Sequence, residues 1–221
     1  MPWDPRTFAR VPSLTWQCNP QVDRVVRSFG ADAVILDVGA GGRRLSPNVI
    51  TADFLALPET DIVCDVTKLP IGDASVDLVI STGVLEHVER ENDFIAEIRR
   101  VLKPGGTVYI EILFLQQYHE DPIDCRRLTL PGLRLFLEQN GFRAVDAGFH
   151  IGPSVTLATI TAHYLALFFE GRTLVHKILS AGTFAVASAI LFPLKYVDAF
   201  LRSKPNAHRL AFGIYCRAQK N

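Results

Sequence analysis

Three stretches of this sequence put chemically capable residues where a strand should end. Residues 34–44, VILDVGAGGRR, surround Asp37 with apolar, β-forming side chains and then give way to Gly39-Ala40-Gly41-Gly42. Lacking Cβ atoms, such a turn lets a nucleotide-like group lie against backbone N–H groups, as ligands do at the carboxyl ends of strands in doubly wound sheets. Residues 49–53, VITAD, and 62–65, IVCD, each read as a strand closing on an acid, Asp53 and Asp65. A third concentration, QQYHEDPIDCRR at residues 116–127, gathers polar and charged side chains in a loop after a strand. These are residues for holding a polar ligand and for moving a proton.

The elements that must position them follow from punctuation and periodicity. Asn19 and Pro20 start a helix with Val22, Val25, Val26 and Phe29 on one face, and Gly30 ends it. The connection from Gly42 to Val49 holds Pro47 and leaves room for only a turn or two of helix. VDLVIS at 76–81 is a continuous apolar strand, 91–102 an amphipathic helix stopped by Pro104-Gly105-Gly106, and 107–115 a fifth strand. A helix over 130–140 and a sixth strand over 142–149 complete the alternation expected of a parallel, doubly wound α/β sheet. Residues 1–18, with Trp3, Phe8 and Trp16 between prolines, read as a flap.

Bulk numbers remove several classes. Lys plus Arg and Asp plus Glu are both 23, so nucleic acid, which needs a broad positive field, is not expected as a partner. Four cysteines lie far apart with no C-x-x-C pair, which argues for free thiols, a reducing, cytoplasmic setting and no metal site. Prolines and Asp4 interrupt the N-terminus where a secretion signal would be continuously apolar.

With these elements placed, residues 31–149 resemble a class I S-adenosylmethionine-dependent methyltransferase of the type 11 kind. VILDVGAGG resembles that family's glycine motif, Asp53 its acid after strand two, CDVTKLPIGDASVDLVISTGVLEHV its third and fourth strand blocks, and LKPGGTVYI its turn into strand five. The resemblance implies a Rossmann-like, seven-stranded sheet with the last strand antiparallel, and S-adenosylmethionine as cofactor. It places Asp37, Gly39, Ala40, Gly41 and Gly42 against the methionine portion and ribose, with a helix start behind the turn. Asp53 with Phe54 would meet the ribose hydroxyls, Asp65 with Val66 the adenine, and Ser81 and Thr82 would lie beneath the cofactor. A dinucleotide fingerprint would need glycine at Arg44; the methyltransferase pattern's own third glycine falls on Arg43. Glu86-His87 reads as the packing start of the next helix. In the 116–127 loop, His119 is the candidate base, oriented by Asp121 or Asp124, with Tyr118 placing the acceptor and Gln117, Arg126 and Arg127 holding it, the arginines at an anionic group.

About fifty residues separate strands six and seven, far more than a hairpin needs. From Ile151 to Phe169 and from Ile178 to Leu194 there is no Asp, Glu, Lys or Arg. Thr156, Thr159, His163 and Glu170 fall along one side of a first helix, with Val155, Leu157, Leu165, Leu167 and Phe168 over the rest. Ala181, Ala185 and Ala189 form a small-residue face on a second, suited to close helix packing. The chain therefore divides into a flap and first helix (1–30), a cofactor-binding core (31–150), an apolar helical hairpin (151–205) and a final strand (206–221). The hairpin is read as a monotopic or lipid-covering device on the inner face of a membrane, a layer buried on the sheet or at a homodimer interface, or a transmembrane hairpin. The expected reaction is methyl transfer to a hydroxyl of a small or lipid-linked, glycan-type acceptor. A lipid amine or quinone carbon is the alternative within the enzyme class, and an inactive cofactor-binding scaffold the alternative outside it.

Overall fold

The computed structural model describes residues 20–119 and 123–221. The proposed flap, the Asn19 cap and Asp121 lie outside them. Two compact units emerge. The larger comprises residues 19–114, 118–150 and 214–221; the smaller, among the described residues, comprises 115–117 and 151–213.

In the larger unit α1 (Pro20–Arg27) buries Val22, Val25 and Val26 against Ile35, Val49, Leu78 and Tyr109, the face that its three-and-four spacing dictated. The strands are β1 (Ile35–Val38), β2 (Val49–Asp53), β3 (Ile62–Val63), β4 (Val76–Thr82), β5 (Leu102–Leu113), β6 (Phe142–Ile151) and β7 (Gly213–Lys220). They form one mixed, mostly parallel sheet in the order β3-β2-β1-β4-β5-β7-β6. β1 pairs in parallel with β2 and β4, so the turns after β1, β2 and β4 leave the same edge. Between β4 and β5, α2 (Glu91–Val101) buries Phe94, Ile95, Ile98 and Val101. Its Arg100 grips the carbonyls of Leu69 and Ile71 together with Asp73 and Glu97, which pins the preceding loop. α3 (Leu130–Gln139) starts at Thr129, whose hydroxyl accepts from the Gly132 amide, and buries Leu133 and Leu137.

Four local expectations change. No helix follows β1: residues 41–48 are turns and bends, because the run to Val49 is too short and holds Pro47. β3 stops at Val63, leaving Asp65 in a turn. Glu86 and His87 sit in a 3-10 turn (Leu85–His87), separate from α2. Pro104-Gly105-Gly106 lies inside β5, where Gly105 takes φ +72°, and the pairing with β4 is irregular between Val76 and Leu78.

The smaller unit contains α4 (Pro153–Leu167) and α5 (Leu174–Leu191), then a 3-10 stretch (Phe192–Val197), α6 (Asp198–Leu201) and a 3-10 turn (Ala207–Leu210). Asp198 is buried at the start of α4, accepting from the Ser154 amide at 2.9 Å where the helix dipole favours an anion. Gly152 is required beside it, since a Cβ there would lie 2.3 Å from the Asp198 carboxyl carbon. Ala158 and Ala162 of α4 pack on Ala187 of α5, with Phe184 and Leu191 beside them. The structure decides which sides turn inward. Thr156 and Thr159 face inward, Thr156 donating to the Leu210 carbonyl at 2.7 Å, whereas Leu157, Leu165, Leu167 and Phe168 are exposed. Ala181, Ala185 and Ala189 are exposed too, and the close approach uses the opposite side of α5. Periodicity gives the angle between residues on a helix, not which side the chain turns inward.

Candidate active site

Glycine turn and acids converge at the carboxyl edge of the larger unit. Gly39, Gly41 and Gly42 take φ of +73°, +61° and +76°, conformations that L side chains rarely adopt. At Gly39 a Cβ would also sit 2.3 Å from Val84 Cγ2, so the turn after β1 packs directly on the chain leaving β4. The Gly39 and Ala40 amides donate to the Ala52 carbonyl. The Gly41 amide donates to Asp53 Oδ2 at 2.8 Å, and Asp53 Oδ1 accepts from the Leu55 amide at 2.9 Å. Each Asp53 oxygen thus keeps acceptor capacity for a hydroxyl. Phe54, beside it, is 76% exposed. The Cys64 amide binds the Asp53 carbonyl at 2.9 Å, and the next residue, Asp65, is exposed and accepts from the backbone and hydroxyl of Thr67, with Val66 half-buried. These Thr67 bonds hold the Asp65 carboxyl below its ordinary pKa.

Asp37 is fully buried, and burial raises its pKa although Arg43 offsets part of the effect. The Arg43 guanidinium lies 3.3 Å from Asp37 Oδ2 and donates to the Thr82 hydroxyl, so the residue standing at the third glycine position bridges β1 to β4. Ser81 is fully buried behind it.

The loop after β5 forms a second cluster. His119 places Nδ1 3.3 Å from Asp124 Oδ2, and its backbone amide donates to the same oxygen at 3.0 Å. Burial pushes the Asp124 carboxyl up, but its bonds to Arg127 and the His119 amide outweigh that and hold it below the usual range. The His87 and His119 rings meet edge to face at 5.1 Å, and His87 Nδ1 contacts the Ile123 carbonyl. Arg126 contacts the carbonyls of Leu85 and Val88 and pairs with Glu91 at 2.7 Å, so it ties this loop to the 3-10 turn and α2. Arg127 pairs with Asp124. Tyr118 is 67% exposed. Gln117 falls in the smaller unit, its Nε2 2.8 Å from His163 Nε2. Among the described residues no group of three or more His, Cys, Asp or Glu is arranged to hold a metal ion.

Glu86, which the sequence places at the opening of a helix with His87 as packing, lies instead in the 3-10 turn after β4. Glu86 is completely buried, and among the described residues neither carboxylate oxygen has a hydrogen-bond partner in another residue. Its Oε1 would lie 3.9 Å from a Cβ at Gly83, just past β4. Burial raises its pKa, with His87 and Arg127 opposing and Asp124 adding. No sequence signal reveals an unpaired buried acid, because pairing depends on neighbours distant in sequence.

This sheet order with a glycine turn and an acid on adjacent parallel strands defines a class I, Rossmann-like methyltransferase fold. Residues 42–110 match the family described as a methyltransferase domain, a stretch that takes in Asp53, Asp65, Thr82 and Glu86. Ribosomal RNA-processing protein 8 of Rattus norvegicus is 35% identical over 102 residues, 43% of this chain and 22% of that protein. A Mycolicibacterium smegmatis protein named "Probable S-adenosylmethionine-dependent methyltransferase" is 34% identical over 88 residues, 37% of this chain and 34% of that one. The chain therefore spans only about a quarter to a third of these curated relatives. The solved structure of Burkholderia thailandensis 1,6-didemethyltoxoflavin-N1-methyltransferase superposes with TM-score 0.57 at 17% identity, covering 91% of this chain and 77% of that one, a likeness of fold. Through residues 42–110 the chain is similar to the methyltransferase-domain family, and its fold is that of class I S-adenosylmethionine-dependent methyltransferases.

Proposed function

We propose that this chain binds S-adenosylmethionine at the Gly39–Asp53 edge and transfers its methyl group to a hydroxyl of a small or lipid-linked acceptor. The observation that carries the reading is the Gly41 amide on Asp53 Oδ2, which fixes a carboxylate beside a left-handed glycine turn with open space at Gly41, where a Cβ would meet nothing within 4 Å. The residues fit the cofactor: Asp53 has acceptor capacity left for the ribose hydroxyls, and the amides of residues 39–42 approach without side chains. Arg43, where the pattern has glycine, would offer a fixed cation to the cofactor's carboxylate. Asp65, Val66, Phe54, Ser81 and Thr82 are proposed to line the remainder.

When bound, the cofactor supplies an electrophilic methyl on a sulfonium. An acceptor hydroxyl must lose its proton as it is methylated, and His119 is proposed to take it, with Asp124 turning the ring and stabilising the imidazolium. Arg127 holds Asp124 and Arg126 holds the loop, so both are assigned to positioning, and Tyr118 to the acceptor. A lipid-linked acceptor suits the exposed apolar surface of residues 151–213.

Titration calorimetry tests the reading: heat with S-adenosylmethionine and none with NAD is expected. Asp53→Asn should weaken the cofactor by about tenfold to a hundredfold, the effect of losing charge-assisted hydrogen bonds. Unchanged affinity in that variant would refute the site.

A further inference from the structure

We infer that the smaller unit, residues 151–213, docks this protein on a bilayer surface rich in anionic lipid, lying in the interface without crossing it. On α5, Leu174, Val175, Ile178, Leu179, Val186 and Ile190 are 47 to 72% exposed and share one face at helical spacing. α4 repeats the arrangement with Leu157, Ile160, Tyr164, Leu167 and Phe168, each 45 to 70% exposed. The polar side of α4 is the buried one. Each helix thus carries an exposed apolar face on the side away from the seam through Ala158, Ala162 and Ala187, which solvent alone does not favour.

Charge selects the occupant. The unit carries Arg172, Lys177, Lys195, Arg202, Lys204 and Arg209 against Glu170 and Asp198, and Asp198 is buried beneath α4. The whole chain is neutral, so this excess is local. Lys195 Nζ lies 4.0 Å from the Phe192 ring centre and 5.5 Å from that of Tyr196, and Lys204 Nζ 4.3 Å from that of Phe200. The exposed Tyr196 and Phe200, each with a lysine near its ring, are suited to the headgroup layer, ring toward the acyl chains and cation toward lipid phosphate.

Residues 174–201 are long and apolar enough to span, with 6% of their apolar window buried. Topology argues against it. Ile151 and Phe212 are hydrogen-bonded at 3.1 Å, so the chain enters and leaves the unit at one place and must cross an even number of times. α4, with 15 residues and so ~22 Å, cannot supply a second crossing of a ~30 Å core. An interfacial position covers the apolar face of α5 without a crossing.

Flotation of the full chain with phosphatidylcholine vesicles, with and without phosphatidylglycerol, tests this. About tenfold stronger binding to the anionic vesicles is expected, declining as salt is raised. Ile178→Asp with Ile190→Asp should abolish flotation, and Lys195→Gln with Lys204→Gln should remove the preference for phosphatidylglycerol while leaving the melting temperature unchanged. Failure to float with either vesicle, equal binding to both, or a homodimer that persists with vesicles and is lost in Ile178→Asp would overturn it. No cofactor or acceptor is present in this measurement, so its outcome is separate from that of the methyl-transfer reading.

Discussion

Asp53 and Glu86 are both carboxylates at the same sheet edge, and their surroundings give them opposite character. Asp53 is met by two backbone amides, whereas Glu86 is enclosed with no partner for either oxygen in another described residue. An enclosed acid with a raised pKa destabilises the fold increasingly as pH rises through the ordinary value of 4.5 toward its folded value. Glu86→Gln should therefore raise the melting temperature at neutral pH by about 2–4 °C for each kcal/mol relieved, a gain that disappears near pH 4 in scanning calorimetry. Asp124 behaves in the contrary sense. Its folded pKa is lowered, so its contribution is present above the ordinary aspartate range and is lost as pH falls through the folded value. Asp124→Asn should flatten the acid limb of the stability profile and, under the proposed mechanism, reduce turnover more than cofactor affinity. The glycine turn and Asp53 were legible in the sequence because strand, turn and acid are adjacent in it. Glu86 was visible only as a letter, since its isolation depends on Gly83, His87, Asp124 and Arg127 together.

At the scale of elements, the helical unit separates two kinds of alanine. Ala158 is fully buried against α5, and Ala158→Leu should cost about 1–3 kcal/mol by overpacking. Ala185 is exposed, and Ala185→Leu should change stability by no more than about 0.5 kcal/mol. Thermal melts of the pair distinguish the packing found in the structure from the small-residue stripe that the sequence suggested. In the larger unit Gly39→Ala combines a strained φ with a clash on Val84, and should lose at least about 1–2 kcal/mol together with cofactor binding. The element boundaries that differed from expectation are those where side-chain pattern is silent. β5 begins at Leu102, five residues before the expected start, because its pairing with Val76 of β4 carries the strand through Pro104-Gly105-Gly106.

Over the whole molecule, equal numbers of cations and acids conceal a division: the basic excess lies in residues 151–213 and the acidic excess elsewhere. The chain should consequently be retained on a cation exchanger at low salt near its pI of about 7.0, and be released as added salt shortens the Debye length. By itself the sequence determined the order of strands and helices, the strand edge that carries the glycine turn and Asp53, and the existence of an apolar insertion, because each rests on local periodicity, turn chemistry or contiguous composition. Tertiary structure alone decided which face of each inserted helix turns outward, that Arg43 bridges Asp37 to Thr82, and that Glu86 is enclosed with no partner in another described residue. Those outcomes depend on which distant residues become neighbours, and burial, pairing and charge state are set by neighbours in space.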